Sequence, residues 1–98
     1  MSVLATAYNN LRECELATSQ YDFSENWCGK GKSYYSWLKA TSSEPSISTL
    51  TVLMYRLDKA IDRLQKTRSI NFPEVTEHDL SLLLNSRKLV NEYLSTHC

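Results

Sequence analysis

The sequence is poor in the residues that punctuate a chain. Of its 98 residues only two are glycine and two are proline. A fold of many short strands needs turn residues every few positions. Their scarcity, with many Leu, Ser, Lys, Glu and Arg residues, points to helices. No stretch approaches the ~18 uninterrupted apolar residues of a membrane span. The N-terminal segment has no basic region followed by a long apolar run, so no secretory signal is read there and a cytoplasmic location is expected. The three cysteines, Cys14, Cys28 and Cys98, are widely spaced and form no CxxC pair. His78 and His97 have no Cys or Asp neighbour at a ligand spacing. Free thiols in a reducing compartment are expected, and neither a metal nor another cofactor. No histidine lies near a serine in the manner of a nucleophile and its base, and no glycine-rich phosphate loop occurs. Asp58 and Asp62 stand four apart on one helix, but Lys59, Arg63 and Lys66 are interleaved with them, which reads as a salt-bridged surface. An enzyme is not expected. Net charge is also missing, with 11 basic residues against 11 acidic ones. That balance weighs against a strongly basic nucleic-acid binder.

What is present is unevenly placed. The length fits one domain. Residues 1–28 carry Arg12 against Glu13, Glu15, Asp22 and Glu25. Residues 29–43 carry Lys30, Lys32 and Lys39 with no acid. Residues 56–68 carry Arg56, Lys59, Arg63, Lys66 and Arg68 against Asp58 and Asp62, and residues 70–98 are acidic again. Positive charge is concentrated in the middle of the chain, where a face for a phosphate backbone can be built.

Apolar spacing predicts five helices. In residues 3–16, Val3, Leu4, Ala7, Tyr8, Leu11 and Cys14 share one face, with Ser2 as N-cap. Ser19 caps a short second helix over residues 20–27, with Asp22 placed as in a capping box and Phe23 and Trp27 on one face. Cys28, Gly29, Lys30 and Gly31 form a turn. The third helix covers residues 32–40, with Tyr34, Trp37 and Leu38 inward and Lys32, Ser33, Tyr35, Ser36 and Lys39 outward. Residues 41–45 form a loop ending at Pro45, and Ser46 caps the fourth helix. Its seam is Ile47, Leu50, Met54, Leu57, Ile61 and Leu64, spaced alternately three and four apart, with Val52 and Leu53 as a second edge. Residues 69–74 read as a loop, and Thr76 caps a last helix with Asp79 at its third position. Leu80, Leu83, Leu84, Val90 and Leu94 exceed one stripe, so this helix buries two sides. The expected domain is all-α. Residues 1–68 hold a helix-turn-helix core, and residues 69–98 form the rest of a C-terminal hairpin in the same compact unit.

The order short helix, glycine turn, short helix, polar loop, long apolar helix over about forty residues resembles the Cro and phage-repressor type of helix-turn-helix domain. Ser19-Gln20 matches the Ser/Thr-Gln that opens the first motif helix, and Phe23-Ser24 matches its Leu-Ala pair. Cys28-Gly29 covers the turn glycine, and residues 32–38 match the recognition helix. Glu44-Pro45-Ser46 followed by Leu50 matches the Pro-Ser and the apolar helix that closes the core. The chain departs from the pattern in its second turn glycine, in the size of Trp27 and in a loop 41–43 without glycine.

The resemblance implies a regulator that binds double-stranded DNA. The expected DNA-binding residues are Ser19, Gln20, Lys30, Lys32, Ser33, Tyr35, Ser36 and Lys39. Lysine and serine can bond base edges or phosphates, Tyr35 can bond a phosphate or pack on a thymine methyl, and the helix start at Ser19 suits a phosphate. Such domains place two recognition helices ~34 Å apart on a palindromic site. Ile61, Leu64, Leu83, Val90 and Leu94 are therefore expected at a homodimer interface, against the alternative of a hairpin that closes a monomer core. The second functional class is an adaptor that keeps this shape but binds another protein. A positive face around Lys30, Lys32 and Lys39 would mark the first reading, and exposed tyrosine or leucine side chains there would mark the second.

Overall fold

The computed structural model describes residues 2–67 and 73–97, with the backbone alone for residues 2, 67, 73–76 and 97. The described residues form five helices and no strand: α1 (Ser2–Glu13), α2 (Gln20–Asp22), which runs on into a π-helical segment (Phe23–Trp27), α3 (Tyr34–Thr41), α4 (Ile47–Thr67) and α5 (Pro73–His97). The all-α class is as the apolar spacing predicts. None of the described helices is long and apolar enough to cross a membrane.

Helix ends follow local chemistry. α1 stops short of the expected residue 16. Glu15 takes a left-handed φ of 62°, and the Leu16 N–H donates to the Leu11 carbonyl at 2.9 Å while the Glu15 N–H donates to that of Arg12 at 3.0 Å. This pair of bonds is a Schellman close, built here without glycine. α3 ends the same way at Ser42, whose φ is 53° and whose follower Ser43 donates to the Leu38 carbonyl at 3.1 Å. Ser19 caps α2 as predicted, its Oγ accepting the Asp22 N–H at 3.1 Å. The return bond lands one residue earlier than a standard capping box, with the Thr18 N–H donating to Asp22 Oδ2 at 2.9 Å. That bond, with a second from the Asn26 amide, holds the Asp22 carboxyl below the usual carboxylate range. Ser46 caps α4 by accepting the Thr49 N–H at 3.2 Å. α5 begins at Pro73, ahead of the expected cap Thr76. Proline suits a first helical turn, where its missing N–H has no partner to lose. The rest of the expected loop, residues 69–72, lies outside the described residues.

α5 packs against both α4 and α1, so the second buried side expected of it is α1. Leu80, Leu83 and Val90 of α5 are buried with Leu50, Leu53, Leu57, Ala60 and Ile61 of α4 and Leu4, Ala7 and Leu11 of α1. The α4 seam is rotated from the expected one: Leu53 and Ala60 are buried, Met54 is half-buried and Ile47 is exposed. Asn10 of α1 donates to the Leu82 carbonyl at 3.2 Å and to the buried Ser86 Oγ at 2.9 Å. Arg87 pairs with Asp58 across α4 and α5, and the Tyr93 hydroxyl donates to Glu44 at 2.6 Å.

The short helices are joined by aromatic rings. Tyr8, Phe23 and Tyr35 meet pairwise at centroid distances of 5.1 to 5.4 Å, linking α1, the π-helical segment and α3. Cys14 and Cys28 are buried free thiols, and burial is the main force pushing each up to about 12. They pack as small neutral core residues.

Candidate nucleic-acid interface

α3 is positioned by three contacts. The π-helical turn, marked by the Cys28 N–H donating to the Phe23 carbonyl at 3.0 Å, directs both Phe23 and Ser24 into the core. Ser24 Oγ then accepts the Tyr35 N–H at 3.0 Å, a buried bond that satisfies one of the amides of the first α3 turn. Beyond the π turn, Gly29 has a φ of 68°, and a Cβ there would lie 3.2 Å from Val52 Cγ1 of α4. The left-handed turn and the close approach both favour glycine. Finally, the Tyr34 hydroxyl bonds Thr49 Oγ1 of α4 at 3.0 Å.

These contacts set α3 in a different rotation from the one its sequence suggests. Tyr35, expected outward on the DNA side, is 3% exposed and sits in the aromatic cluster. It is not available to DNA. Trp37, expected inward, is 53% exposed. Both arrangements keep Leu38 in the core, so spacing alone could not separate them. The deciding features are the Ser24 bond to the Tyr35 amide and the ring partners Tyr8 and Phe23, which lie far from α3 in sequence.

The remaining predicted residues divide. Lys30 is exposed in the turn as expected, and Lys32 and Ser33 are exposed in the same segment, ahead of the first α3 residue Tyr34 and not within the helix as expected. With Gly31, Tyr34 and Trp37, Lys32 and Ser33 line a shallow groove, and the Lys30 ammonium lies 5.9 Å from the Tyr34 ring centre. Lys39 is exposed, but its ammonium is 4.9 Å from the Tyr35 ring centre, on the flank that covers the aromatic cluster. Ser36 and Gln20 come together, Ser36 Oγ donating to Gln20 Oε1 at 3.0 Å, which ties the start of α2 to the middle of α3. Ser19 spends its hydroxyl on the cap. The α2 start also carries the Asp22 carboxylate, whose charge opposes a phosphate there. The outer face of α3 thus presents Ser33, Ser36, Trp37 and Ala40 beside Lys30 and Lys32, and Tyr21 is 58% exposed next to Gln20 and Ser36.

Of the five residues expected between two copies, Ile61, Leu83 and Val90 are buried inside one chain, and Leu64 and Leu94 pack half-buried against the same core. These side chains pack within one chain, where α1 is the second partner of α5.

Two features of the site escaped the sequence reading: Ser24 as an internal partner for α3, and Trp37 as its outward aromatic. A serine between Phe23 and a run of polar residues carried the only hint of the first.

No curated protein and no solved structure matches the chain. A family pattern matches residues 4–94, nearly the whole sequence. The chain therefore belongs to DUF6626, a family of unknown function.

Proposed function

We propose that this chain is a DNA-binding regulator that presents the outer face of α3, with the turn before it, to the major groove. The observation that supports this reading is the free side of α3: a short helix held on one side by Tyr35 and Leu38, exposing Ser33 and Trp37 beside Lys30 and Lys32 in a segment without an acidic residue. A helix anchored by one face and open on the other is what groove entry needs. The Ser36–Gln20 bond keeps the two motif helices in fixed relation. Lys30, Lys32 and Lys39 can each neutralise a phosphate, which gives a salt slope of about −2.7 per bound copy at ~0.9 per phosphate. Two copies on a symmetric site place two α3 helices ~34 Å apart. Since Ile61, Leu83 and Val90 pack within one chain, pairing is proposed to occur on DNA.

The test is selection from a random-sequence duplex pool with salt titration, using wild type and a Lys32→Ala/Ser33→Ala variant. Enrichment of a palindromic site, lost in the variant and weakened by salt, supports the reading. No enrichment by the folded protein defeats it. A second reading, an adaptor for another protein, is favoured by one observation: Trp37 and Tyr21 are both more than half exposed on this side. It is preferred when a folded chain ignores every duplex in the pool.

A further inference from the structure

Resting on the DNA-binding reading, we infer that Trp37 is a specificity-determining residue whose indole packs on the 5-methyl group of a thymine in the major groove. Trp37 is a large apolar ring, 53% exposed on the proposed DNA face, and an apolar side chain there can pack on a thymine methyl. The ring is held ready. Trp37 stacks on Tyr34 with centroids 6.4 Å apart and planes at 29°. Tyr34 is itself fixed by its hydroxyl bond to Thr49 at 3.0 Å, and Thr49 is in turn bonded to Ser46 at 2.8 Å. The α3 backbone at this point is tied from both sides. The Trp37 N–H donates to the Ser33 carbonyl at 2.8 Å, and Thr41 Oγ1 donates to the Trp37 carbonyl at 2.8 Å. An aromatic group with a fixed backbone and one stacked neighbour loses less entropy on contact than a free side chain.

The surroundings select the occupant. The groove beside Trp37 is lined by Gly31, Lys32, Ser33 and Tyr34, with Lys30 over the Tyr34 ring, so cations and a hydroxyl flank the indole and no carboxylate does. This charge is complementary to a phosphate backbone. Among major-groove edges, the thymine methyl is the apolar feature that a ring can read, while Ser33 and Lys32 can serve neighbouring polar edges. On sequence grounds Tyr35 is the residue expected to bond a phosphate or pack on a thymine methyl. The rotation of α3 removes Tyr35 to the core and puts Trp37 outward.

The experiment takes the duplex enriched by the full chain and replaces its thymines one at a time by deoxyuridine, which removes only the methyl. Affinities are measured for wild type, Trp37→Phe and Trp37→Ala, with circular dichroism to confirm the fold. At one position wild type is expected to lose about 4-fold in affinity, the value of one buried methyl-sized group. Trp37→Ala is expected to bind the thymine duplex more weakly and to ignore that replacement, and Trp37→Phe to keep part of the response. Specific duplex binding that responds neither to methyl removal nor to Trp37→Ala overturns the inference and leaves the DNA-binding reading intact. So does a Trp37→Ala loss equal on thymine and deoxyuridine duplexes. Tighter binding to the separated strands than to the duplex also overturns it, since the indole then stacks on unpaired bases. A folded protein that binds no DNA removes both.

Discussion

The α2–α3 region and the α4–α5 hairpin are held together in different ways. The hairpin is long and supplies most of the core: Leu50, Leu53, Leu57 and Ile61 on one helix and Leu80, Leu83 and Val90 on the other are buried, while Ile47, Tyr55 and Leu84 are exposed on its outer sides. The motif region is short, and a helix of eight residues has little stability of its own. It is fixed by a ring cluster and a few directed hydrogen bonds, and it keeps Trp37 and Tyr21 outside. The hairpin thus carries most of the apolar core, while the short helices are held by rings and directed bonds and carry the face proposed to meet DNA.

The strongest way to break this comparison is to exchange the two candidate faces of α3. Tyr35→Ala is expected to destabilise the fold by about 3–5 kcal/mol, as for other buried aromatic residues. Trp37→Ala should stay within about 0.5 kcal/mol, as a surface change does. Urea unfolding of both variants decides it, and the opposite order would restore the rotation expected from sequence. In the hairpin, Leu83→Ala should cost about 2–5 kcal/mol, and sedimentation of the free protein should give the mass of one chain.

A smaller effect sharpens the role of the directed bonds. Ser24→Ala removes the acceptor of a buried amide and is expected to cost about 1–3 kcal/mol by thermal unfolding. Smaller still, Glu15→Gly and Ser42→Gly should each stabilise the protein by about 0.5–1 kcal/mol. Each relieves a left-handed residue of a strain of roughly 1–2 kcal/mol, less the chain entropy of glycine. No gain at either position would mean that the helix ends differ from those described.

The smallest expected effect is a pH dependence at the acid end. The Asp22 carboxyl titrates below its ordinary range, chiefly because it accepts the Thr18 N–H. A group depressed in the folded state adds stability above its unfolded pKa and loses it as pH falls through the folded value. The α2 cap should therefore weaken on acidification below the ordinary carboxylate range, and Asp22→Asn should flatten that part of the stability curve. At the alkaline end the sign reverses. The Cys14 and Cys28 thiols are raised to about 12 mainly by burial, so their contribution is full below the ordinary thiol value and is lost as pH rises toward 12.

Where side chains act within one helix or one cap, the sequence was legible. Ser19 and Ser46 were recognisable as caps because a hydroxyl before an apolar run has a local partner three residues on. The existence of five helices followed from spacing that each segment carries by itself. The ends of α1 and α3 were less legible, since Glu15 and Ser42 adopt a backbone region usually marked by glycine.

By itself, then, the sequence determined an all-α chain, its two clear caps, the glycine turn before α3, and an acid-free lysine segment from residue 29 to 43. Only the tertiary structure decided which way α3 faces and what α5 packs on. Tyr34–Trp37–Leu38 and Tyr35–Leu38 are equally good helical stripes. The choice between them came from Tyr8, Phe23 and Ser24, partners from other helices. Likewise the apolar excess of α5 does not say whether a second copy or α1 will cover it. Here α1 covers it, because the chain folds back on itself and brings Leu4, Ala7 and Leu11 into the same core.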